Sequence, residues 1–198
     1  MIEPLLLAAL GYLVGSISSA VLVCRLMGLP DPRTQGSGNP GATNVLRFGG
    51  RLAGGFTLAG DFLKGTLPVL VAIAVDAGGA GLALAGLGAY LGHLYPVFFG
   101  FRGGKGVATG LGVLLGWNWL AALATVATWL LVAAITRISS LSALTAFLLA
   151  PAYVWYFTAS PWLAPAMLVM TVVTYWRHRS NIRNIIAGTE GRIGAPKT

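Results

Sequence analysis

Apolar residues run in long blocks along this chain, and the polar residues collect in the gaps between them. A helical membrane span needs about 20 consecutive apolar residues. Residues 5–27, 52–75, 81–101 and 140–157 meet that length, and 162–176 meets it as a short or tilted span. The block 107–136 is harder, because Trp117-Asn118-Trp119 interrupts it. It is long for one span and short for two.

Charge decides how that block is read. The first loop, 28–51, carries Arg33, Arg47 and Arg51, and the next, 76–80, carries only Asp76. Loop 102–105 carries Arg102 and Lys105, and the tail carries Arg177, Arg179, Arg183, Arg192 and Lys197. Basic loops stay on the cytoplasmic side. One span over 107–136 would put Arg137 and the tail on opposite sides; a split at Trp117–Trp119 puts both inside, with the tryptophans at the outer interface. The pattern therefore predicts an all-α integral membrane protein: a bundle of seven transmembrane helices in one domain over residues 1–198. Its fourth helix, 107–116, is a half-membrane helix, the N-terminus is outside and the C-terminus cytoplasmic.

Composition agrees. Hydrophobic residues make up 56% of the chain and charged ones 9%, against roughly a quarter charged in soluble domains. Cys24 is the one cysteine, so no disulfide is expected. Glu3, with no Lys or Arg before Arg25, argues against a secretory signal. The net charge of +8 sits at the ends of apolar blocks, as membrane topology requires. Nucleic acid is not implied; an anionic substrate or the lipid bilayer is. No obligate protein partner is inferred.

In the predicted topology the polar clusters share one side. GSGNPGATNVLR, 36–47, lies in the first inner loop, GGKG, 103–106, in the second, and HRSNIRNIIAGTE, 178–190, follows the last span. Three loops meeting at one face is how a membrane enzyme builds a site for a water-soluble substrate. Gly36, Gly38 and Gly41 let consecutive N–H groups point into one anion nest. Ser37, Asn39, Thr43 and Asn44 add neutral groups, and Arg47 a planar fork suited to phosphate. The plainer alternative is a solvated loop capping the next helix through Thr43 or Asn44. Gly103, Gly104 and Gly106 flank Lys105 just before an apolar run, where a helix N-terminus adds partial positive charge. Arg102 and Lys105 also read as ordinary inside anchors. The Walker spacing is missing, so ATP binding is not supported.

Small residues four apart (Gly11 and Gly15, Gly88 and Gly92, Gly112 and Gly116) predict close helix packing. Asp61 and Lys64, three apart deep in an apolar block, read as an ion pair bracing the site. His93 and His178, the two histidines, read as general bases or as hydrogen-bonding struts. Without clustered Cys or carboxylates they make no metal site, and no G-x-S-x-G elbow is present. No cofactor is expected.

These three motifs, with DFLKG at 61–65, resemble those of the bacterial acyl-phosphate:glycerol-3-phosphate acyltransferase family, usually called PlsY. The likeness runs nearly end to end. It implies an enzyme of the cytoplasmic (inner) membrane, active at its cytoplasmic face. Its substrates would be acyl phosphate and glycerol 3-phosphate, and its products lysophosphatidic acid and phosphate. Acyl-CoA and acyl carrier protein are not donors in that family. The His-x-x-x-x-Asp signature of other glycerolipid acyltransferases is absent, Phe98 and Arg183 standing where the aspartate would be. The resemblance carries catalytic roles onto Ser37, Arg47, Lys105 and Asn181, and His178 joins them on the general-base reading above. It carries substrate-binding roles onto Gly103, Gly104, Gly106 and Glu190, and by extension Ser140, where the register among Ser139, Ser140 and Ser142 is open. His93, Gly36, Gly38, Asn39, Gly41, Thr43 and Asn44 join the binding set on the reasoning above. A rival reading is a small anion or glycerol-phosphate transporter, which predicts polar residues through the membrane and at both faces. A CDP-alcohol phosphotransferase would need an aspartate-rich metal motif, which five acidic residues do not supply.

Overall fold

A computed structural model describes residues 2–194, and every regular element among them is helical. The helices are α1 (Ile2–Gly15), α2 (Ser19–Leu26), α3 (Ala42–Ala74), α4 (Gly79–Leu94), α5 (Val107–Trp117), α6 (Trp119–Thr136), α7 (Ser139–Thr158), α8 (Leu163–Arg177) and α9 (Arg179–Ile186). A 3₁₀ turn, Val97–Phe99, follows α4. Five helical stretches are long and apolar enough to cross a membrane: Ile2–Leu26, Ala42–Ala74, Gly79–Phe99, Trp119–Thr136 and Ser139–Thr158. Large apolar side chains such as Leu6, Phe56, Leu131 and Val172 are more than half exposed. A soluble protein would not present so many to water; a bilayer accepts them.

Two compact units make up the chain, Met1–Trp117 and Asn118–Thr198. In the first, α1 packs on α4 and α3 on α5 through glycine. A Cβ on Gly11 would overlap Ala85 O, and one on Gly88 would overlap Ala8 O. Across the α3–α5 contact, a Cβ on Gly65 would overlap Thr109 O and one on Gly112 would overlap Phe62 O. Backbones this close gain dispersion along the whole contact, the usual substitute for a hydrophobic driving force in lipid. Thr66 Oγ1 adds a hydrogen bond to Gly112 O at 2.9 Å. In the second unit α7 packs against both α6 and α8. Thr128 and Tyr153 hydroxyls meet at 2.9 Å, and Thr171 Oγ1 donates to Phe147 O at 2.8 Å.

Three boundaries differ from the sequence expectation. The second apolar helix starts at Ala42, not near residue 52, so ten residues assigned to the first loop are helical. Val45 explains why: it is fully buried against Ala20, Cys24 and Ala53, and that burial holds the segment in place. The helix is interrupted at Gly50, whose φ of 82° and ψ of −177° leave helical geometry; glycine takes that conformation without steric cost. The first apolar block is two helices, broken at Ser16–Ser18. The third ends at Leu94, because Pro96 cannot continue it. Within 107–136 the chain leaves α5 after Trp117, and Asn118 caps α6 by accepting the Ala121 N–H at 3.0 Å.

Candidate active site

In the first unit the loop before α3 is folded around one side chain. Asn44, 2% exposed, lies in the first turn of α3 and points back into the loop. Its Oδ1 accepts the Ser37 N–H at 3.1 Å, and its Nδ2 donates to Pro32 O at 3.0 Å and Gln35 O at 2.9 Å. Both amide protons thus serve the loop's own carbonyls. Asn44 shapes the loop rather than offering a donor to an anion. It does not cap α3 either, and nor does Thr43: Gly41 is the N-cap, with no side-chain bond.

The result is an exposed crest at Gly36, Ser37 and Gly38, two of whose residues, Gly36 and Gly38, have positive φ. The crest leads through Asn39, Pro40 and Gly41 to the α3 N-terminus, where the first amides have no intrahelical acceptor. Thr43 and Arg47 are both exposed there and, four residues apart, share a face. Arg33 ties the loop down from its other side. Its Nη2 meets Asp31 Oδ2 at 2.6 Å and its Nη1 donates to Phe99 O at 3.2 Å. That hydrogen bond from Arg33 holds the Asp31 carboxyl below its usual pKa, against a smaller upward push from burial. Neither Asp31 nor Arg33 stood out in the sequence; a D-x-R spacing is too common to signal a brace.

The GGKG turn lies against the end of α4. Gly104 N–H donates to His93 O at 3.2 Å. A Cβ on Gly103 would overlap the His93 carbonyl, and one on Gly106 would overlap the Tyr90 ring. A Cβ on Gly104 would overlap His93 Nε2 and stand 3.1 Å from Pro40 O. Pro40 belongs to the first loop, so the two glycine-rich turns touch. Two helix N-termini, those of α3 and α5, therefore lie beside neighbouring turns, with Arg47 one turn into α3 and half-buried Lys105 just before α5. Helix N-termini and guanidinium or ammonium groups are what a phosphate seeks.

Beneath the turn, Lys64 Nζ lies 2.8 Å from Asp61 Oδ1 and donates to Ile17 O at 2.8 Å. His93 Nδ1 stands 3.5 Å from the same carboxylate oxygen. The Asp61–Lys64 spacing was readable in sequence; its links to His93 and to the α1–α2 break were not. The small polar run Gly15-Ser16-Ile17-Ser18-Ser19 inside an apolar block was the available sign of that break.

The second unit holds its own polar cluster. Glu190 Oε1 accepts from Ser140 Oγ and from Asn181 Nδ2, both at 2.6 Å. The register of 139–142 follows: Ser142 Oγ donates to Ile138 O along its own helix, so Ser140 is the serine of this cluster. His178, buried between α8 and α9, places Nδ1 2.9 Å from Thr174 O. A proton on Nδ1 satisfies that carbonyl and leaves Nε2 as an acceptor. The stretch 179–186 is a helix, α9, with no buried residue, and Arg179 stacks over Trp176 at 5.0 Å. No cluster of His, Cys, Asp or Glu able to hold a metal occurs among the described residues.

Known proteins show which family the chain falls in. Residues 5–188 match the sequence family described as glycerol-3-phosphate acyltransferase. The chain belongs to that family. A glycerol-3-phosphate acyltransferase of Halorhodospira halophila is 57% identical over 190 residues, 96% of each chain. One from Thioalkalivibrio sulfidiphilus is 58% identical over 183 residues, 92% of this chain and 90% of that one. Among solved structures, a crystal structure of PlsY, an integral membrane glycerol 3-phosphate acyltransferase, in its glycerol 3-phosphate form superposes with a TM-score of 0.91. It is 38% identical and covers 96% of both chains. The lysophosphatidic acid form gives 0.89 at 37% identity, covering 96% and 95%. The acyltransferase reading of the motifs stands, and the transporter reading gives way to it.

Proposed function

We propose that this acyltransferase moves a fatty acyl group from acyl phosphate to the 1-position hydroxyl of glycerol 3-phosphate. The contact between Gly104 and Pro40 carries the reading. It brings the two turns together beside the N-termini of α3 and α5, and Arg47 and Lys105 are the cations of those two segments. Acyl phosphate is a mixed anhydride, so no covalent enzyme intermediate is needed. The glycerol hydroxyl oxygen attacks the acyl carbon, the bond from that carbon to the phosphate oxygen breaks, and phosphate leaves with the electron pair. Holding both reactants together can lower the barrier by several kcal/mol, and Lys105 with the turn amides stabilises charge on the leaving phosphate. The hydroxyl proton passes to the phosphate of glycerol 3-phosphate, whose second pKa is near 6 as in other phosphomonoesters. In the second unit, Glu190 fixes Ser140 and Asn181 by accepting hydrogen bonds from both, the arrangement on which a role for these residues rests.

The same reading places seven helices in a bacterial inner membrane, N-terminus outside, with the reaction at the cytoplasmic face. Its support is the distribution of basic residues, which avoids 76–80 and gathers at 28–51, 102–105 and 177–192.

The test is phosphate release from palmitoyl phosphate by purified protein, with and without glycerol 3-phosphate. Release that depends on glycerol 3-phosphate is expected. Arg47→Ala and Lys105→Ala each lower kcat/KM at least a hundredfold while the thermal midpoint in detergent holds. Full activity in both variants overturns the assignment.

A further inference from the structure

Three buried polar side chains in the first unit do more than neutralise one another. Asp61, Lys64 and His93 are 2%, 6% and 6% exposed. A mutual ion pair needs only the first two. Yet the Asp61 carboxylate also lies 3.5 Å from His93 Nδ1, and the opposite edge of that ring, Nε2, lies where a Cβ on Gly104 would be. The two nitrogens of an imidazole are on different edges, so whatever holds one decides where the other points. The His93 main chain repeats the connection, its carbonyl accepting the Gly104 N–H.

We propose that Asp61 is a positioning residue for the phosphate-binding turn at Gly103–Gly106, acting through the His93 ring, with Lys64 as the counter-charge that lets a carboxylate stand there. This rests on the reading of that turn as a phosphate site. The carboxylate orients the ring, the ring supports the turn from below, and the turn sets Lys105 and the α5 N-terminus at the distance the leaving phosphate requires. Lys64 is itself anchored outside the pair, on the Ile17 carbonyl freed by the α1–α2 break. The chain of contacts therefore runs from that break to the reacting phosphate.

The double variant Asp61→Leu/Lys64→Met separates positioning from simple charge pairing, because it removes both charges, strands neither, and leaves His93 Nδ1 no acceptor oxygen at position 61. If the pair were only a brace, the double variant would regain wild-type turnover. Positioning predicts a melting midpoint close to wild type, kcat lowered at least tenfold, and a glycerol 3-phosphate KM within threefold. Wild-type kcat in the folded double variant overturns the proposal. Should the double variant not fold, His93→Asn decides: it keeps a donor toward Asp61 but removes the ring edge against Gly104. A tenfold or greater loss of kcat at unchanged melting supports the proposal, and wild-type kcat overturns it. Lys105→Ala is run alongside. If it retains full activity, the phosphate reading of the turn fails; if it is impaired while the double variant is not, only the role given to Asp61 fails.

Discussion

Replacing Asn44 with alanine removes three hydrogen bonds from one loop and leaves every direct phosphate contact proposed above in place. The side chain is 2% exposed and joins Ser37 N, Pro32 O and Gln35 O. A typical intramolecular hydrogen bond contributes about 0.5–1.5 kcal/mol net, so the three together contribute about 1.5–4.5 kcal/mol. Ser37 is exposed and Gln35 half-buried, so water replaces part of what is lost, and about 2 kcal/mol is the working figure. That raises the open-to-closed ratio of the loop roughly 30-fold, since 1.4 kcal/mol is a factor of ten. The crest at 36–38 is then organised less often, and kcat/KM for glycerol 3-phosphate should fall in proportion to the organised fraction, by at most about that factor. Asn44→Asp keeps an acceptor for the Ser37 N–H but sets a carboxylate against two carbonyls, so it should be no better. The assay is phosphate release against glycerol 3-phosphate concentration, with thermal unfolding in detergent as the control for the bundle. Wild-type kcat/KM in folded Asn44→Ala would mean that the loop is ordered by something else.

Other expectations follow from the same geometry. Glu190→Ala should lower turnover at least tenfold by releasing Ser140 and Asn181, while Glu190→Gln, which keeps an acceptor oxygen, should retain more of it; equal activities would remove Glu190 from the site. Gly112→Ala, whose new methyl would overlap Phe62 O, should cost about 1–3 kcal/mol as other overpacked contacts do, read as a lower melting midpoint. An unchanged midpoint would contradict the α3–α5 contact. Asp31 is held below its ordinary pKa of 3.8 by Arg33, so its stabilisation is complete above that value and disappears as pH falls through the lowered one. Partly exposed, the pair contributes at most about 1 kcal/mol. Wild type should therefore lose a small stability advantage over Asp31→Asn between pH 5 and the acid limit, and an advantage that persists in acid would refute the pairing. The acid limb of kcat/KM should stay near pH 6 in the residual activity of His178→Asn; a limb that moves with the substitution would make that histidine the base.

The long apolar blocks were legible because length and hydropathy alone decide them. So was the boundary at Trp117–Trp119, where a short polar cap between two aromatic residues has few other uses. The start of α3 was not, because Gly-Ala-Thr-Asn-Val-Leu-Arg reads locally as loop, and only the burial of Val45 against a distant helix makes it helical. At the site, residue types that chemistry demands, Arg47 and Lys105 among glycines, announced themselves. Asn44 did not reveal its role, since its partners are main-chain carbonyls, which no sequence displays. Asp61 and Lys64 were readable as a pair because three residues is one helical turn; that His93 joins them depends on how α4 lies on α3.

The Asp61–Lys64 pair also bears on how the polypeptide reaches its membrane. Either charge alone in mid-bilayer costs about 2.5–3.5 kcal/mol for a helix leaving the translocon. Carried one turn apart on a single segment, the two offset each other within α3 itself, so this stretch of the helix enters lipid without net charge while Arg47 and Arg51 stay nearer its N-terminal end.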